Sequence, residues 1–129
     1  CASDYSVTVY QPNDFDPANP VYKVKVWDKE GNVTERMVDV SKVDTRSGDF
    51  IDMFAYTSHL SASGEYPNAN SAFMGADAIR HGADGRGYDD LFQKTDWLSV
   101  VRDAMQTQFE AKNLEGYMEY KRFLDFLEQ

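Results

Sequence analysis

Cysteine is nearly missing from this chain: among 129 residues there is one, Cys1. A single thiol excludes an internal disulfide and any structural zinc site built from several thiolates. Histidine is almost as scarce, with His59 and His81 far apart and no His-Glu-x-x-His spacing to bring two imidazoles onto one helical face. Long apolar runs are also lacking. The densest stretch, Phe50 to Tyr56, is interrupted by Asp52, whereas a membrane-crossing helix needs roughly 18–20 consecutive apolar residues. Basic residues are few, 13 Lys+Arg against 22 Asp+Glu, giving a net charge of −9. Such a surface repels a phosphate backbone on average, so nucleic acid is not an expected partner.

The charge deficit is uneven. No lysine occurs between Lys42 and Lys94, and residues 47–90 hold only Arg80 and Arg86 against seven acids, net −5. A cation or a basic partner is drawn to that middle third first. What the chain has in plenty is aromatic side chains, 14% of residues. Eight of them lie between Tyr88 and Phe126, which promises either a bulky core or an aromatic binding surface near the C-terminal end.

Residues 5–40 read as β-structure. Tyr5 to Tyr10 alternates, the stretch from Gln11 to Pro20 with three prolines is a loop, and Val21 to Trp27 alternates again. Asp28 to Asn32 suits a hairpin turn with Gly31 in the left-handed position, and Val33 to Val40 returns. From Ser47 the period becomes helical. Ser47 or Asp49 caps a helix that ends near Gly64; a second, small-residue helix runs from about Asn68 to Arg80. Thr95 or Asp96 then caps a third helix and Asn113 a fourth, which closes an α-hairpin. The expected architecture is therefore α+β: a small N-terminal antiparallel sheet of about three strands, including a hairpin at 21–40, then about four helices. No internal repeat or linker is visible, so residues 1–129 read as one domain.

The familiar catalytic signatures are absent: no Gly-x-Ser-x-Gly elbow, no phosphate-binding loop, no dinucleotide fingerprint. An EF-hand count begun at Asp77 puts glycine correctly at position 82 but fails at Ile79, His81 and Tyr88. Asp84, Asp89 and Asp90, or Asp14 and Asp16, could hold a cation only loosely, and no cofactor is expected. One arrangement keeps an enzymatic or small-ligand reading open. His81 begins the glycine-rich segment 81–87 beside Arg80, Asp84 and Arg86, a general base next to an anion-binding arginine. That segment, with three glycines, is also the expected mobile region.

The preferred reading is non-catalytic, a protein-interaction or assembly domain with a protein partner or self-association. Its support is the missing catalytic signature, the acidic middle and the final helix, which carries Tyr117, Tyr120 and Phe123 and is apolar around more than half its circumference. Trp27, on a strand face with Lys23 and Lys25, either meets a partner or folds over the edge of the core. Cys1-Ala2-Ser3 is also what a bacterial lipoprotein presents after signal removal, so a lipid anchor at Cys1 and a cell-surface location are one expectation. An arbitrary boundary, with a cytoplasmic chain, is the other.

Overall fold

A computed structural model describes residues 4–129, and Cys1, with the lipid-anchor expectation attached to it, lies outside the described residues. The chain begins with three antiparallel strands, β1 (Tyr5–Tyr10), β2 (Val21–Asp28) and β3 (Val33–Asp39), in the order β1-β2-β3. Alternation decides the faces. Val7, Val9, Tyr22, Val24, Val26 and Val38 point to the core, while Thr8, Tyr10, Lys23, Lys25, Trp27, Glu35 and Met37 line the outer face. The hairpin turn forms because Asp28 Oδ1 accepts from Glu30 N (3.0 Å) and Asn32 N (2.8 Å), with Gly31 at φ 86°. The bonds from Asn32 also hold the Asp28 carboxyl below its ordinary range.

Four helices follow: α1 (Phe50–Ser63), α2 (Ala69–His81), α3 (Trp97–Glu110) and α4 (Leu114–Leu127). Their starts are set by side chains that satisfy free amide groups. Asp49 accepts from Asp52 N while Asp52 accepts from Asp49 N, a complete capping box for α1. Asp96 caps α3 through Leu98 N and Ser99 N, and Asn113 caps α4 through Gly116 N. The α1 cap is also an ionic contact to the sheet, because Arg36 Nη2 donates to Asp49 Oδ2 at 2.7 Å. Burial raises the Asp52 carboxyl above its ordinary range beside it.

α1 covers the inner face of the sheet, and α2, α3 and α4 pack behind it to form one contiguous cluster. Phe50, Phe73 and Trp97 meet at its centre, with ring centroids 5.1 and 5.0 Å apart. A short bridge that sequence periodicity does not show ties the starts of α1 and α3. Gly48 and Thr95 exchange backbone hydrogen bonds of 3.3 and 2.9 Å, and Trp97 Nε1 donates to Gly48 O at 3.0 Å.

The apolar surplus of α4 is divided between core and surface. Tyr120, Phe123, Leu124 and Leu127 are buried, and Tyr66 from the α1–α2 connection lies 5.8 Å from Phe123 and 4.9 Å from Phe126. Tyr120 and Phe123 are thus taken up by the core and are not available to a partner. Tyr117 is half-buried, and Leu114 and Met118 are exposed.

The glycine within α2 is explained by Tyr120. A β-carbon at Gly75 would stand 2.5 Å from Tyr120 Oη, with the next nearest atom, Tyr120 Cζ, at an ordinary 3.7 Å. Gly75→Ala, which in an open helix gains about 1 kcal/mol, is therefore expected to lower the melting temperature. In a Tyr120→Phe background, where the clashing oxygen is gone, the same change is expected to raise it. Thermal melts of the four chains check this, and equal effects of Gly75→Ala in both backgrounds would contradict it.

Candidate functional site

The segment 80–90 is organised by a residue one turn earlier. Asp77 on α2 is wholly buried, and Arg80 and His81, three and four positions on, share its face. Arg80 Nη2 donates to Asp77 Oδ1 at 3.1 Å, and Arg86 Nη1 donates to Asp77 Oδ2. His81 Nε2 lies 3.4 Å from Asp77 Oδ1 and 3.0 Å from Arg80 Nη2, while its Nδ1 lies 3.8 Å from Asp90 Oδ2.

Arg86 carries the network across the molecule. Its Nε donates to Tyr5 Oη at 2.6 Å, Tyr5 Oη donates to Arg86 O at 3.3 Å, and its guanidinium lies 4.1 Å from the centre of the Phe50 ring. Arg80 stacks similarly over Trp97 at 4.9 Å. Loop 82–88 is consequently tied at both ends: a 3-10 turn spans Gly82–Asp84, and Gly87 N donates to Asp90 Oδ2 at 2.8 Å.

Of the residues the sequence singled out here, His81 and Arg86 come together and Asp84 does not; it is exposed and outside the network. The residue that sequence reasoning missed is Asp77. Its spacing to Arg80 and His81 was readable, but the bond to Arg86 and onward to Tyr5 joins residues 81 positions apart. A general base needs a lone pair aimed at open space. Here both carboxylate oxygens of Asp77 are engaged by guanidinium groups, and His81 Nε2 faces Arg80. The arrangement is suited to clamping β1 and the glycine loop onto α2. Among the described residues, no three His, Cys, Asp or Glu side chains gather in a way that could hold a metal ion.

The other histidine is also engaged. His59, on the last turns of α1, pairs through Nδ1 with Tyr22 Oη at 2.8 Å, and burial raises the Tyr22 hydroxyl above its ordinary pKa.

Trp27 stands half-exposed at one end of the outer sheet face, opposite Ser6 and Val33. Lys23 and Lys25 share that face, and both reach Glu35, at 3.9 and 3.5 Å. Lys25 also lies 5.4 Å from the centre of the Tyr10 ring.

The largest apolar exposure is elsewhere, at the tip of the α3–α4 hairpin. Phe109 is 64% exposed and Leu114 71% exposed. With Tyr117, whose ring centroid is 5.9 Å from that of Phe109, they line an open groove of about 420 Å³ rimmed by Glu110, Lys112 and Asn113. The tip is held open by local geometry. Lys112 takes φ 59° at the corner, and Asn113 Nδ2 donates to Gln108 Oε1 at 2.7 Å. Helical period assigns Phe109 and Leu114 to the two helices, and it does not show that both side chains are left exposed at the hairpin tip.

Comparison with protein-family models, with curated proteins and with solved structures returned no match.

Proposed function

We propose that this chain is a non-catalytic protein-interaction domain that receives an apolar side chain of a protein partner between Phe109, Leu114 and Tyr117. The observation that carries the reading is the exposure of two large apolar side chains facing one groove at the hairpin tip. Each, when covered, contributes roughly 1.5–3 kcal/mol, and clustered aromatic and aliphatic anchors of this kind dominate binding energy at protein interfaces. Charge narrows the partner. Glu110 and Lys112 at the rim offset each other, and the chain as a whole carries −9, so a segment with lysine or arginine around its apolar anchor is favoured. The rival reading, a small-ligand or hydrolytic site at 80–90, is weakened because His81 and Arg86 spend their polar atoms on Asp77, Asp90 and Tyr5.

A displayed library of random helical peptides, selected on the native chain and counter-selected on a Phe109→Ser/Leu114→Ser variant, tests the proposal. Enriched peptides are expected to carry an aromatic or large aliphatic residue flanked by basic ones. They should bind the variant at least about tenfold more weakly, a loss of 1.4 kcal/mol or more. Peptides that bind both chains equally, or a selection that enriches nothing, would sink it. Both replaced side chains are exposed, so the variant should retain the native melting profile.

A further inference from the structure

We infer that β3 is a self-pairing edge, joining two copies of this chain through an antiparallel β3–β3′ ladder centred on Glu35. β3 lies at the end of the strand order, and among the described residues β2 is the only element extensively packed along it. The other edge strand, β1, is partly covered by α1 and is held at Tyr5 by Arg86.

The phase of the ladder shows which groups of β3 are free. At one end Asp28 N donates to Asn32 O (2.9 Å), and beyond the other end Val40 N donates to Pro20 O (3.2 Å). In an antiparallel pair, hydrogen-bonded residues alternate along the strand. Even-numbered residues of β3 therefore bond to β2, and Val33, Glu35 and Met37 direct their N–H and C=O groups to the open edge. The side chains of the same three residues are exposed on the outer face.

Residues directly opposite each other in such a ladder must lie on one face. In a two-fold pairing centred on Glu35, Val33 meets Met37′ and Met37 meets Val33′, so the two apolar side chains that β3 exposes cover each other. Centring on Arg36 instead sets Met37 against Glu35′, and centring on Thr34 sets Val33 against Glu35′. Only the Glu35 centre satisfies both apolar residues. Its cost is the facing Glu35 pair, and that charge is already offset in each copy by Lys23 and Lys25. The apolar rows extend further, because Trp27 lies beside Val33 in the existing register.

Two seven-residue strands form a contact smaller than the roughly 1,600 Å² of a standard stable interface, and each copy carries −9. The dimer is accordingly weak, populated toward millimolar concentrations, and strengthened by salt, which screens the long-range repulsion. Nothing in this inference depends on the hairpin-tip groove.

Sedimentation equilibrium of the native chain is expected to show a monomer–dimer equilibrium that shifts toward dimer as salt is raised. Met37→Lys places a charge in both apolar pairs and should weaken association about tenfold or more, with the monomer's melting temperature unchanged. Phe109→Ser/Leu114→Ser should leave association intact, which separates this inference from the proposed function. In a Cys1→Ser background, Glu35→Cys should form a disulfide-linked dimer on oxidation, since paired Cα atoms about 5.5 Å apart suit the bond. Thr34→Cys, which faces Arg36′, should not. A native chain that stays monomeric at millimolar concentration in high salt, association indifferent to Met37→Lys, or equal cross-linking by both cysteines would each overturn the inference.

Discussion

Asp77→Ala is expected to destabilise the fold by about 3–5 kcal/mol, the range found when one partner is removed from a buried ionic cluster. That is a large share of the 5–15 kcal/mol by which such domains are stable. The cost arises because Arg80 and Arg86 would lose the carboxylate on which both guanidinium groups converge. Arg86 could not simply turn to water, since its Nε is bonded to Tyr5 and its plane rests on Phe50. Asp77→Asn keeps the shape and one acceptor, so it should cost less than the alanine change. Arg86→Met should cost less when Asp77 is already replaced by leucine than in the native chain, because the carboxylate it would leave half-paired is then gone; coupling of 0.5–3 kcal/mol is usual for groups in contact. Urea unfolding at constant m-value measures all of these. By contrast, Lys121→Ala should change stability by no more than about 1 kcal/mol, because its bridge to Asp125 is exposed on both sides. Equal effects at Asp77 and Lys121 would mean that the buried cluster does not hold the glycine loop.

The difference between those two bridges also marks what a sequence can reveal. Lys121 and Asp125 are four residues apart, and local spacing displays them. The strands, the hairpin turn and the caps at Asp49, Asp96 and Asn113 were legible for the same reason: period and capping chemistry are properties of short stretches. Asp77 was passed over because its meaning depends on Arg86 and Tyr5, which the chain brings together only after the sheet has packed on α1. The contacts of the glycine loop were hidden for the same reason: three glycines predict freedom, and the carboxylate that Arg86 reaches lies outside the loop. The small residues of α2 were visible in its sequence, but not that Tyr120, 45 positions after Gly75, occupies the space a side chain there would need.

Phe123→Ala is expected to cost about 3–5 kcal/mol and Phe109→Ala less than about 0.5 kcal/mol, although both residues lie on one α-hairpin. Phe123 is wholly buried, beside Tyr66, so truncation leaves a cavity that the packed helices cannot close. Phe109 is mostly in water already, and removing it takes apolar surface away from solvent. Measured midpoints of urea unfolding should therefore separate the two phenylalanines by several kcal/mol, with the m-value unchanged in the Phe109 variant. The contrast bears on function as well as stability. A side chain that is mostly exposed contributes little to the isolated fold, so a loss of several kcal/mol on its removal would mean that the hairpin tip is packed in solution. In that event the groove between Phe109, Leu114 and Tyr117 would be closed to any partner. If the tip is open, Phe109→Ala leaves the fold intact and weakens only the capture of an apolar side chain from outside.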